Sequence, residues 1–241
     1  MLLLKFWLET RVRLAICVFL PASLAFAAWQ VGVAARSGKS LDAAMLGATP
    51  WEHLLVSMAA LAVPMIALIL AGTGLMGQTS SGMTQGIHPS TYYTLTLPVT
   101  RTRLLFTRTV FGLGLTAAVI ALIVVLLLLL REPLRAPHAP ASVLLLYPYM
   151  LTGAAVYYSF ATLIYSWFDE FWGGMITLFV TGGFIGYSIG GGSSWASIPS
   201  FMRARTALEA GDPALLQAAF YLVLSAAFLG GALWILKRKE F

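Results

Sequence analysis

Few side chains in this chain are placed for chemistry. They are three histidines (His53, His88 and His138), an adjacent carboxylate pair (Asp169-Glu170) and a cluster of arginines (Arg101, Arg103 and Arg108). A zinc-protease site would need H-E-x-x-H on one helix face, and that spacing does not occur. The histidines fall in three different connections between apolar runs. Ser80-Ser81-Gly82 and Gly192-Ser193-Ser194 lack the G-x-S-x-G frame of a nucleophile elbow. No G-x-x-x-x-G-K-[ST] occurs, so the chain has no P-loop to cradle a nucleotide phosphate. Cys17 is the sole cysteine, which excludes an intrachain disulfide or a thiolate cluster. Asp169-Glu170 open an apolar run, where they complement a helix dipole or meet a partner protein. The sequence therefore offers no catalytic constellation, and the expectation is a protein that is not itself an enzyme.

The elements that carry these residues are lipid-soluble. Of 241 residues 59% are hydrophobic and 10% charged, against about one quarter charged in soluble domains. A bilayer-crossing helix needs about 20 apolar residues, and six runs qualify: 14–35, 54–76, 110–130, 143–165, 171–189 and 214–236. The expectation is a single all-α integral membrane domain over 1–241. The first run is too long and aromatic for a cleaved signal peptide. The net charge of +6 is spread over the ends of the runs, which is an orientation signal and no nucleic-acid face. Placing both termini in the cytoplasm puts Lys5, Arg11, Arg13, Arg101, Arg103, Arg108, Lys237, Arg238 and Lys239 inside. Arg36, Lys39, Arg131, Arg135, Arg203 and Arg205 then lie outside. The larger basic set falls on the cytoplasmic side.

Local signals set further expectations. Lys5, Glu9 and Arg13 recur every four residues among apolar neighbours, the pattern of an interfacial helix over 2–13. Pro50 opens span two at the first helical position. Pro64 and Pro148, inside spans two and four, predict distortions without loss of the span. The connection after span five is polar, with a short surface helix expected around 201–210.

Between spans two and three lies a cytoplasmic segment, 88–107. Ser90 or Thr91 can cap a short helix through Leu97, which Pro98 stops. Thr100 can then cap a new helix that runs into span three. The stretch Leu97-Pro98-Val99-Thr100-Arg101-Thr102-Arg103-Leu104, together with the six-run layout and the basic Lys237-Arg238-Lys239 end, resembles the membrane permeases of the ABC-2 (type V) exporter family. The chain carries no acidic residue between Gln78 and Leu97, where many members of that family do. The resemblance implies a transport subunit in a prokaryotic cytoplasmic membrane. It would pair with a second copy or a related permease and be driven by two separate cytoplasmic ABC ATPase subunits. ATP and Mg would be bound by those subunits, and no cofactor by this chain. The ATPase-coupling residues it implies are Tyr92, Tyr93, Leu95, Leu97, Pro98, Thr100, Arg101 and Arg103, with Asp169 and Glu170 as a second contact.

Span five carries Gly182, Gly186 and Gly190 at four-residue spacing, a face that lets two helices approach closely. That face suits either the seam between two copies or packing within the chain. Thr177, Thr181 and Ser188 lie opposite, and Tyr158 and Thr162 form a polar stripe on span four. These five are the candidate pathway residues. No ionisable residue lies at mid-span, which argues against proton coupling and favours an amphipathic, lipid-like or drug-like cargo. Two alternatives remain at this point: a membrane enzyme acting on lipids or peptides, and an ATP-independent carrier, which should show inverted repeats that the two halves lack.

Overall fold

The computed structural model describes residues 2–36, 50–71, 100–168, 170–189, 197–203 and 214–238. Among these residues every regular element is helical. In order they are α1 (Leu2–Arg36), α2 (Pro50–Ser57), a π-helical turn (Met58–Ala62), α3 (Val63–Ala71), α4 (Arg101–Leu130), α5 (Pro140–Leu144), α6 (Leu146–Trp167), α7 (Glu170–Ile189), α8 (Ile198–Met202) and α9 (Leu215–Arg238). A lipid-buried backbone has no water to bond, so each segment satisfies its amides within its own helix.

Five stretches are long and apolar enough to cross a membrane: Thr10–Ala34, Trp51–Ala71, Thr102–Leu130, Pro140–Trp167 and Leu215–Arg238. The chain thus has the character of a multi-pass membrane protein. The remaining expected span is the unbroken 20-residue helix α7, which lies outside that set.

Prolines shape two of the spans. A proline ring clashes with the carbonyl four residues back and cannot bond to it. Pro64 meets this problem at Ala60, in the middle of the π turn. There the helix widens, and the Val63 N–H reaches Met58 O, five residues back. Pro148 meets it at Leu144, where α5 ends before α6 begins at Leu146. The hydroxyl of Thr152 donates back to Pro148 O at 2.8 Å.

One expectation is corrected at the N-terminus. A separate interfacial helix over 2–13 is not present, because α1 runs without a break from Leu2 to Arg36. Nothing before Pro21 can interrupt it, and that proline is itself absorbed inside the helix. At about 1.5 Å per residue α1 is longer than the hydrocarbon core of a bilayer, about 30 Å. Arg13 marks the register: its Nη1 donates to Ile69 O at 3.5 Å, so the residues before it extend past the end of α3.

Helix α6 sits at the centre. It packs most extensively on α9 and also touches α3, α4, α7 and α8. The α6–α9 seam is tight where Leu163 Cδ1 comes within 3.1 Å of a methyl placed on Gly231, and where Phe160 meets Phe228 edge-on at 5.6 Å. The Trp51–Ala71 span is the most enclosed of the five, with Trp51, Met58, Ile66 and Leu70 fully buried. Helices α1 and α9 are peripheral and show Phe19, Phe26, Leu222 and Val223 outward, as lipid-facing helices do. At the far end of α9, Arg238 stacks on Trp234 at 3.9 Å, an interfacial anchor pairing a cation with an aromatic ring.

Helix α8 lies in the connection after α7. The described helix there is Ile198–Met202 and it is buried, while most of the surface helix expected around 201–210 lies outside the described residues. Ser197 caps it by accepting from the Ser200 N–H. Ile198, Phe201 and Met202, at helical spacing, turn one apolar face into the bundle. Phe201 lies between Tyr149 (5.1 Å) and Tyr221 (4.9 Å), and α8 reaches the π turn. Met202 fills the notch left by Gly153: a methyl there would lie 2.5 Å from its Sδ. Gly153→Leu should therefore overpack this contact at a cost of about 1–3 kcal/mol. Thermal unfolding in detergent measures it, and an unchanged midpoint would show that α8 moves aside freely.

Candidate functional site

The residues singled out in the sequence separate into three groups in the structure. Tyr92, Tyr93, Leu95, Leu97, Pro98, Asp169 and Gly190 lie outside the described residues. Arg101, Glu170, Gly186 and Ser188 are placed as helix backbone. Thr100, Arg103, Tyr158, Thr162, Thr177, Thr181 and Gly182 are described in full.

Thr100 begins α4 as its residue type predicts. Its extended backbone and its Oγ1, accepting the Arg103 N–H at 3.3 Å, cap the helix. The cap fixes where the rigid rod of α4 starts. Arg103 is exposed beside it. Thr107 bonds back to Arg103 O at 2.8 Å, the next turn along.

Arg108 differs from the exposed Arg103, with which its charge groups it. The membrane-length stretch begins at Thr102, so Arg108 falls inside it, and the residue is only 5% exposed. It packs toward α6, where the Tyr158 hydroxyl donates to Arg108 O at 3.4 Å and the ring lies within electrostatic reach of the guanidinium. Gly112, one turn on, makes the room: a methyl at that position would sit 2.7 Å from Tyr158 Cζ and closer still to its hydroxyl. Thr116 bonds back to Gly112 O at 2.9 Å. Sequence spacing carried a signal of this site, an arginine followed four residues later by glycine. A buried arginine in a span marks function more often than stability.

The pathway candidates are likewise enclosed. Tyr158 and Thr162 are buried inside the single chain, and Thr162 Oγ1 bonds back to Tyr158 O at 2.8 Å. They do not form an open polar stripe. On α7 the described hydroxyls and the described glycine lie on different sides of the helix. Thr177 and Thr181 are buried, in the helix that packs on α6 and α8. Thr177 Oγ1 bonds Gly173 O on its own helix. Gly182 is exposed, and a methyl added there would meet nothing within 4 Å. Gly182 therefore makes no packing contact among the described residues. The hydroxyls are inside because hydroxyls can satisfy themselves on their own helix, while exposed glycine costs nothing sterically.

Thr181 is the exception among the hydroxyls: its Oγ1 is buried with no hydrogen-bond partner among the described residues. Thr181→Val keeps the shape and removes the orphan group. It should leave stability unchanged or raise it by about 1 kcal/mol, read as the midpoint of thermal unfolding. A loss of that size would mean that the hydroxyl has a partner in the assembled protein.

No group of three or more His, Cys, Asp or Glu side chains comes together among the described residues. Comparison with known proteins finds no matching family model, no matching curated protein and no matching solved structure.

Proposed function

We propose that this chain is the membrane-spanning permease half of an ATP-driven exporter of the ABC-2 kind. Two six-span halves form the transport unit in a prokaryotic cytoplasmic membrane, with both termini inside and two cytoplasmic ATPase subunits beneath. The observation that carries the reading is the junction Leu97-Pro98-Val99-Thr100-Arg101. A proline-stopped segment leads straight into a capped 30-residue helix, which suits a lever pushed from its cytoplasmic end.

Two further features support it. The α7 face carrying Gly182 is open, as a seam with a second copy requires. The ends that must share a side also meet, since Arg13 near the start of α1 reaches the end of α3. The cargo class that suits the apolar interior is amphipathic or lipid-like. The task of this chain is then to hold the pathway and to pass on motion, while phosphate chemistry belongs to the partner.

Orientation gives the reading a clean test. Cys17 is buried and is the sole thiol, so Cys17→Ala yields a background into which Thr94→Cys can be placed. A membrane-impermeant maleimide should label that cysteine in inside-out vesicles and leave it unmodified in intact cells. Labelling from outside the cell would refute the proposal.

A further inference from the structure

Two notched contacts meet on α6. Toward α4, Tyr158 enters the space left by Gly112 and its hydroxyl bonds Arg108 O. Toward α8, Gly153 receives Met202, and Tyr149 meets Phe201 with the rings tilted at 60°. Gly153 and Tyr158 are five residues apart on one helix. That separation is about 7.5 Å along the axis and about 140° around it, so the two contacts face different neighbours. Both notches are sterically exclusive: neither tolerates a methyl without displacing the side chain that fills it. Close-packed contacts of this kind are either seated or unseated and do not deform gradually.

The base of α4 lies on the side of the bundle where the cytoplasmic segment enters, and α8 belongs to the connection between α7 and α9 on the opposite side. From this geometry we infer that α6 is a relay, through which displacement of the base of α4 seats or unseats Tyr158 at Gly112 and shifts α8 at Gly153. The inference rests on the exporter reading, since it needs something to move α4. It goes further by naming the contact that carries the motion and the element that receives it. Arg108 and Gly112 are positioning residues in this account. Spatial adjacency alone does not establish coupling, so the test must read motion at α8.

The Cys17→Ala background with Ser200→Cys on α8 reports that motion as the rate of maleimide labelling from outside, in the complex as purified with its ATPase. MgATP should change the rate about fivefold in the background chain. Gly112→Ala and Tyr158→Leu, each made singly, should reduce the change below about twofold while the ATPase stays bound and hydrolyses ATP. The pair Gly112→Ala/Tyr158→Leu, in which the shorter side chain frees the volume that the methyl needs, should restore at least half of it. Should Gly112→Ala fail to fold, Tyr158→Leu and the pair carry the test. A full response in either single variant overturns the relay, and so does loss of the ATPase itself, which would make the contact an assembly feature. A background chain that brings down no ATPase, or whose labelling ignores MgATP, overturns the exporter reading instead.

Discussion

Replacing Leu95 and Leu97 together with glutamate is expected to strip the ATPase from the complex and leave the membrane bundle intact. The two leucines are the apolar positions of the short segment that Pro98 stops. A short helix docking in a groove contributes most of its binding through such anchors, each worth about 2 kcal/mol or more at the centre of an interface. On the exporter reading, two apolar anchors turned into charges should lower co-purified ATPase by at least about tenfold, which corresponds to about 1.4 kcal/mol. Insertion should not change, because the segment lies between spans. Equal ATPase recovery from the variant and the parent would move the docking site elsewhere.

The second large effect is expected on α7. Gly182→Leu places a branched side chain on the face that is open in the single chain, where an added methyl meets nothing. The monomer should fold with an unchanged midpoint, whereas dimer recovery in mild detergent should drop by about tenfold. Association through small-residue faces depends on close helix approach. The contrast with Gly153→Leu is the informative part. That glycine is filled by Met202 of the same chain, so its substitution should lower the stability of the fold itself. If Gly182→Leu left the dimer intact, the seam would have to lie on another face, such as that of α1 with Ile16, Phe19 and Phe26 outward.

The parts of this architecture that are legible in the sequence are those governed by local chemistry. Apolar runs announce spans, Thr100 announces a cap, and Pro64 and Pro148 announce distortions, because each acts within one turn of its own position. What escapes is which side of a helix faces which neighbour. A helix that is hydrophobic all round carries no stripe to orient it. That is why the sequence leaves the Gly182 face open between a seam with a second copy and packing within the chain. Helix α8 was hidden for a related reason: the polarity of the whole connection masks a five-residue apolar cluster, Ile198 to Met202. Arg108 was grouped with its neighbours by charge. Its burial follows from Gly112 and Tyr158, 46 residues apart in sequence and adjacent in space. The separate interfacial helix failed because apolar content with a charged stripe describes both a helix lying on a membrane and the first turns of one entering it.

The measurement that bears most directly on the whole account is purification of the chain from its native membrane in mild detergent, followed by an assay of the intact complex for Mg-dependent ATP hydrolysis. The account predicts two ATP-hydrolysing subunits for every two copies of this chain, with activity lost on Leu95→Glu/Leu97→Glu. A chain that purifies alone and still moves an amphipathic cargo across vesicles without ATP would contradict it.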